Sequence, residues 1–137
     1  MKIPLPSPLA PQSPAKPDLV ISLTHRAPVR IQKLDWDIIG SGERWIENPK
    51  SGAPTWSVTV RLHRDGRMIV YAISRAIPGD IRRAGEVCAP PVDLIATIEM
   101  VALDCFLPGG GVLPDLPLGA RACIEDCIAS LPPVDLV

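Results

Sequence analysis

The sequence predicts an α+β protein in which an antiparallel sheet of about four to five strands is packed by two C-terminal helices. Three observations support this fold class. Apolar and polar residues alternate before an Asp-Gly turn at residues 65–66 and a strand that is apolar on both faces follows it, segments with helical spacing occur only after residue 90, and strands do not alternate with helices as in βαβ units. A chain of 137 residues is long enough to bury one core, so we expect a single domain at residues 18–137.

Residues 1–17 are predicted to form a flexible, proline-rich arm. They contain six of the 17 prolines, each of which removes a backbone N–H donor, so neither a helix nor a central strand fits there. The spacing of three at Pro8, Pro11 and Pro14 places these rings along one edge of a polyproline II helix. Such an edge is recognised by aromatic grooves, although a solvated linker has the same composition.

The strands are predicted from short apolar runs and from alternation. Residues 18–24 form a short apolar run, residues 29–39 alternate, residues 43–47 suggest a short returning strand, and residues 48–54 have the composition of a loop. The hairpin at residues 55–73 is the clearest local signal. We expect residues 77–80 to break the sheet and a polar linker to continue to Cys88. Because unpaired edge strands invite a partner strand, the short N-terminal strand would also allow a homodimer.

Two helices are predicted in the C-terminal third. The first follows Pro90-Pro91 and runs to about Leu107, and the second runs from about Leu118 to Leu131. The basic side chains lie mainly in the part of the chain that is predicted to form strands, and the acidic excess lies in the part that is predicted to form helices. Residues 1–83 carry 13 basic and 7 acidic side chains, whereas residues 84–137 carry one basic and 8 acidic ones. The charge distribution therefore suits partners of opposite sign on different faces.

Catalytic and metal-binding motifs are weak in this sequence. The four cysteines and two histidines form neither a CxxC nor a paired-histidine motif, so we expect no metal, no cofactor and reduced, buried thiols. Asp35 and Asp37 flank Trp36 at a spacing that suits acid–base work or a divalent cation, but it is also the spacing of a solvated acidic strand face, which we favour. Since the P-loop, GxGxxG and nucleophile-elbow patterns are missing as well, we expect a protein that is not an enzyme.

A membrane location is not indicated. The apolar stretches are far shorter than the roughly 20 residues that a span needs, and the N-terminal prolines do not fit a secretory signal. We therefore expect a cytoplasmic protein.

A protein partner is the favoured functional hypothesis. Tryptophan and arginine often dominate interface energies, and these residues flank the loop at 48–54. The candidate protein-binding residues are Arg44, Trp45 and Trp56, together with Pro8, Pro11 and Pro14 of the arm. Arginine outnumbers lysine ten to four, which suits a GC-rich bacterial or phage source. This combination suggests a small accessory factor or inhibitor from a bacterium, phage or mobile element, including one that acts on a host defence nuclease complex.

The alternative hypothesis is nucleic-acid binding by an arginine-rich hairpin. Six arginines face only two aspartates between residues 61 and 83, and a basic hairpin tip can follow a phosphate backbone. The candidate residues are Arg61, Arg64, Arg67, Arg75, Arg82 and Arg83. The net charge of −1 is far from that of a typical nucleic-acid-binding domain, and for this reason the protein partner is preferred.

Overall fold

The structure is a computed structural model that describes residues 18–46, 52–90, 92–107 and 109–132. The predicted arm, with Pro8, Pro11 and Pro14, lies outside the described residues. The α+β class is confirmed, since two antiparallel sheets precede two helices. The strands are β1 (Asp18–Ile21), β2 (Val29–Gln32), β3 (Trp36–Arg44), β4 (Trp56–His63), β5 (Met68–Ile77) and β6 (Asp80–Cys88), and the helices are α1 (Leu94–Phe106) and α2 (Leu118–Ala129).

The larger sheet has the strand order β3-β4-β5-β6, and every neighbouring pair is antiparallel. The predicted hairpin is confirmed as β4 and β5, which pair from Trp56 opposite Ser74 to Leu62 opposite Met68. Its turn places Gly66 at a φ of 97°, a conformation that favours glycine. Both strands of this hairpin are therefore central in the sheet.

The predicted polar linker after residue 77 is wrong, because these residues form β6. Pro78 and Gly79 make a two-residue turn, with Gly79 at a φ of 77°, and Ile77 then lies opposite Asp80. Proline fixes the first turn position and glycine accepts the second, so the sequence that we expected to break the sheet reverses the chain within it. β6 has a high charge content because it is an edge strand with two partly exposed faces.

The N-terminal segments also differ from the prediction of one sheet. The alternating run at 29–39 is interrupted by a 3-10 turn at Lys33–Asp35, so β2 and β3 belong to different sheets. β1 and β2 form a separate two-stranded sheet, with Asp18 opposite Gln32. No separate strand begins at residue 43 as expected, because residues 43 and 44 are the end of β3, residues 45 and 46 lie outside any strand, and residue 47 lies outside the described residues.

The helices cover one face of the four-stranded sheet, which we call the inner face. α1 begins at the predicted place, because the Asp93 carboxylate accepts a hydrogen bond from the Ala96 N–H at 3.0 Å as an N-terminal cap. α2 crosses β3 so closely that a Cβ atom on Gly42 would lie 2.1 Å from the Cys123 carbonyl oxygen. The core between helices and sheet includes Trp56, Val58, Val60, Val70, Ala72, Ile98, Val101, Ala120, Cys123 and Cys127.

The opposite, outer face of the same sheet is covered only in part. The β1–β2 hairpin packs there through a second apolar cluster that is centred on Ile21, Ile31, Trp36 and Ile69. The side chains of β1 share a crevice with Tyr71, Ile73 and Arg83, whereas those of β2 lie with Ile69 and Val87. The hairpin therefore covers the part of the sheet around Ile69, and β1 forms the border of the covered area.

Candidate binding surface

Arg61, a candidate nucleic-acid-binding residue, lies on the outer face but is only 8% exposed. Its Nε donates to the Tyr71 hydroxyl at 3.0 Å, and its Nη1 donates to the Trp36 carbonyl oxygen at 2.9 Å. The described residues place no carboxylate within 4 Å of this guanidinium. Arg61 is therefore a buried cation that is held by neutral acceptors alone.

Arg64 and Arg67 lie at the tip of the β4–β5 hairpin and are paired with carboxylates of the same region. Arg64 binds Asp35 at 3.0 Å, and Arg67 binds Asp65 at 2.7 Å. The pKa of Asp65 is lowered to about 2, chiefly because its carboxylate accepts a hydrogen bond from the Arg67 backbone N–H. The Arg67 guanidinium also lies 5.3 Å from the centre of the Trp36 ring, within the range of a cation–π contact.

The remaining candidate arginines are on β5 and β6. Arg82 is on the inner face and binds Asp80 at 3.0 Å, while its Nε is buried without a partner among the described residues. Arg75 and Arg83 are on the outer face and form no ion pair with any described residue. Of the six candidate arginines, one is therefore buried, three form ion pairs within the protein, and two are unpaired among the described residues. These groups are Arg61; Arg64, Arg67 and Arg82; and Arg75 and Arg83.

The candidate protein-binding residues separate into two environments. Trp56 is 5% exposed and belongs to the core, where its ring packs against Gly119 of α2, so it is not a surface anchor. Trp45 follows β3 directly and is 38% exposed. Arg44 is held against α2 by a 2.7 Å ion pair with Asp126, which lowers the pKa of that carboxyl group through the hydrogen bond between them. Among the members of this group that the structure describes, Trp45 alone combines an apolar ring with exposure.

Several side chains of the outer face that lie beside the β1–β2 hairpin are at least partly exposed, and we name the surface that they form the open face. Ile38 is 53% exposed and Ile81 is 47% exposed, although both lie within strands of the sheet. The register places these side chains on the same face as Arg61 and Arg83. The residues of the open face are Ile38, Ser41, Thr59, Ile73, Ile81 and Arg83. Sequence reasoning missed this surface, because β6 was expected to be a linker.

The edge strands of the two sheets differ in whether another segment of the chain covers their open edge. On β3, the Ser41 N–H donates to the Ser130 hydroxyl at 2.9 Å, so the end of α2 covers this edge. On β6, the Thr24 N–H donates to the Gly85 carbonyl oxygen at 2.9 Å. By contrast, the outer edge of β1 pairs with no strand among the described residues. The β1 edge borders the open face.

The candidate catalytic groups do not gather into a site. Asp35 lies in the 3-10 turn before β3, and Asp37 is on the inner face, so the two carboxylates do not share a strand face. No group of three or more histidine, cysteine or acidic side chains suited to a metal ion occurs in the described residues. Burial raises the pKa of Cys105, Cys123 and Cys127 to about 12, which keeps these thiols protonated at neutral pH.

Neither helix in the described part of the chain has the length and apolar character that crossing a membrane requires. No protein-family model, no curated protein and no solved structure matches this chain.

Proposed function

We propose that the protein binds another protein through the open face and catalyses no reaction, so that it acts as an accessory factor or inhibitor. The observation that supports this proposal is the exposure of Ile38 and Ile81 on the part of the outer face that the β1–β2 hairpin leaves uncovered. Ile38 and Ile81 lie on the two edge strands, β3 and β6, with the half-buried Ile73 on β5 between these strands, and exposed apolar side chains on a sheet face are a feature of interaction sites. The exposed ring of Trp45 follows β3, the strand that carries Ile38, and adds a further anchor of the type that dominates interface energies.

The arginines favour a protein partner over nucleic acid. Arg64, Arg67 and Arg82 are already paired with aspartates, so binding of a phosphate backbone would have to replace these contacts. Free lysines and arginines are what give nucleic-acid binding its affinity and its salt dependence. The two unpaired arginines on the outer face, Arg75 and Arg83, instead suit the polar rim that surrounds an apolar interface centre.

The test is affinity isolation with the full-length chain as bait in bacterial lysate, with and without nuclease, at moderate salt. The informative variant is the double substitution Ile38→Asp and Ile81→Asp, which places charges in the open face. Leu118→Asp is the matched control, since Leu118 is also an exposed apolar residue but lies at the start of α2. We expect one stoichiometric protein to survive nuclease treatment, to be lost with the double variant and to be retained with Leu118→Asp.

Retention of the partner by the double variant would contradict the proposal, as would recovery that depends on nucleic acid. Circular dichroism of each variant establishes that the chain is folded. This control is practical because Ile38 and Ile81 are half exposed, so their replacement leaves the core unchanged.

A further inference from the structure

One row of side chains on the outer face has opposite charges at its two ends, and we call it the charged row. Its members are neighbours in the register of β3 to β6 and are, in strand order, Glu43, Ser57, Ile73 and Arg83. Glu43 and Arg83 are both exposed, and neither forms an ion pair with any described residue. The row therefore presents an anion and a cation with an apolar side chain between them.

The length of the charged row matches a short extended segment. Neighbouring strands lie about 4.8 Å apart, so the three spacings from β3 to β6 separate the two ends of the row by about 14 Å. An extended chain rises about 3.3 Å per residue, so about four residues span this distance. Side chains at alternate positions of an extended segment point to the same side. One segment can therefore place a cation on Glu43, an apolar side chain near Ile73 and a carboxylate on Arg83.

The β1–β2 hairpin crosses the strands of the larger sheet. The crevice beside β2 is lined by Trp36 of β3, Ile69 of β5 and Val87 of β6. Just after β1, the Thr24 N–H donates to the Gly85 carbonyl oxygen of β6 at 2.9 Å. Because β1 is antiparallel to β2 along its length, β1 also runs across these strands. A further strand beside β1 would have the direction of the charged row.

The unpaired edge of β1 lies beside the charged row. Four consecutive residues, 19–22, line a crevice whose other side includes Ile73 and Arg83. Since β1 pairs only with β2 among the described residues, its other edge has backbone groups available to a further strand. A strand added there would lie over the charged row. Extended peptides bind exposed sheet edges in this manner.

We propose that the charged row binds an extended segment of a partner protein that carries an acidic, an apolar and a basic residue at alternate positions and adds a strand to β1. The acidic residue pairs with Arg83, the apolar residue contacts Ile73, and the basic residue pairs with Glu43. Because Ile73 and Arg83 belong to the open face, this inference rests on the proposed function. The chain's own N-terminal segment suits the edge poorly, because its six prolines have no N–H to donate to a strand ladder.

The test is an NMR titration of the isotope-labelled full-length chain with short, end-capped peptides. The first peptide has glutamate, valine and lysine at alternate positions with threonine between them, and the second has lysine in place of the glutamate. We expect the first peptide to shift the amide signals of residues 19–21. At low ionic strength it should bind at least about threefold more tightly than the second peptide, which places two like charges at Arg83.

The variant Arg83→Glu should reverse this preference, because the charged row then has a carboxylate at each end and suits the peptide with two lysines. Arg121→Glu is the matched control and should keep the preference of the parent chain. It changes the net charge by the same amount, at an arginine of α2 that forms no ion pair with any described residue. A version of the first peptide with N-methylated amides keeps the side chains but cannot donate to β1, so it should bind more weakly.

Four outcomes would overturn the inference. These are the absence of amide shifts with either peptide, a preference that Arg83→Glu leaves unchanged or that Arg121→Glu also reverses, and undiminished binding of the N-methylated peptide. The fourth is a dimer of the chain that the peptide dissociates in analytical ultracentrifugation, because a second copy would then occupy β1. Urea denaturation of each variant separates loss of binding from loss of folding.

Failure of this inference can be distinguished from failure of the proposed function. A partner that is lost with the Ile38 and Ile81 double variant but still bound by Arg83→Glu would keep the open face as the binding site and reject recognition by the charged row. Binding of a single-stranded oligonucleotide that depends on Arg83 in place of the peptide would reject both.

Discussion

Replacing Gly42 by alanine tests the contact between α2 and the sheet. The new Cβ atom would lie 2.1 Å from the carbonyl oxygen of Cys123 and 2.8 Å from the backbone nitrogen of Cys127. Both of these atoms belong to the backbone of α2, so a side-chain rotation cannot relieve the overlap. The helix would have to move away from β3, which would open the core around Cys123 and Cys127.

The expected loss of stability is large relative to the total. Overpacking of a core costs about 1–3 kcal/mol where side chains can adjust, so we expect at least about 3 kcal/mol where a helix backbone must shift. Alanine restricts the unfolded chain and returns about 0.4–1 kcal/mol. A net loss of about 2–3 kcal/mol is a substantial share of the roughly 5–15 kcal/mol that holds a domain together. It corresponds to a decrease in Tm of about 10 °C.

Urea denaturation followed by circular dichroism measures this loss. Gly52→Ala is the control, since a Cβ atom there meets no atom within 4 Å and its φ is not in the left-handed region. We expect the control to stay within about 0.5 kcal/mol of the parent chain. A Gly42→Ala variant that matches Gly52→Ala would refute the close packing of α2 on β3.

Further predictions concern the core and the titrating groups. Trp56→Ala should lower the free energy of unfolding by about 3–5 kcal/mol in urea denaturation, because the ring is buried against α2, whereas Trp45→Ala should change it by less than about 1 kcal/mol. Asp65 has a pKa lowered to about 2, so its stabilising contribution is present above its ordinary value of 3.8 and is lost as the pH falls towards 2. The decrease in the free energy of unfolding between pH 3.8 and pH 2 should therefore be smaller in Asp65→Asn than in the parent chain, as measured by acid denaturation. The thiol of Cys123 has a pKa raised to about 12, so stability should decrease as the pH rises above the ordinary value of 9.0, and Cys123→Ala should weaken this dependence in urea denaturation at pH 8 and pH 10.5.

The elements that the sequence predicts well are those with strong local signals. The Asp-Gly turn at residues 65–66 marks the β4–β5 hairpin in the sequence, since the turn conformation favours glycine and polar and apolar residues alternate in the strand before it. Asp93 caps α1 through its own side chain, three residues from the Ala96 N–H that it binds. Such signals depend on neighbours in sequence, and they can be recognised before the tertiary structure is known.

The elements that were missed depend on contacts between distant segments. β6 has no clear alternation, and its status as a strand comes from pairing with β5 through the Pro78-Gly79 turn. The interruption between β2 and β3 at residues 33–35 similarly reflects the packing of a second sheet on the outer face. Tertiary context overrides local preference in both cases.

The candidate site was predictable only in part for the same reason. Arg61 was selected from the sequence as one member of a basic run, and its burial depends on its neighbours in the fold, Tyr71 and Trp36, which are distant from it in sequence. Trp56 was selected as an anchor, but whether an alternating strand turns its tryptophan inwards is decided by the helices. The open face could not be predicted, because it exists only where two sheets overlap incompletely.

Binding of a partner at the open face with useful affinity requires more than one kind of contact. Complete burial of an isoleucine contributes about 1.5–3 kcal/mol, so the half-exposed Ile38 and Ile81 can together add about the same amount. Micromolar binding requires about 8 kcal/mol after an association cost of at least about 4 kcal/mol. Apolar contact alone is therefore too weak. Backbone hydrogen bonds along the unpaired edge of β1, each worth about 0.5–1.5 kcal/mol, are a contribution that remains, so a partner that makes apolar contacts alone should bind this face only weakly.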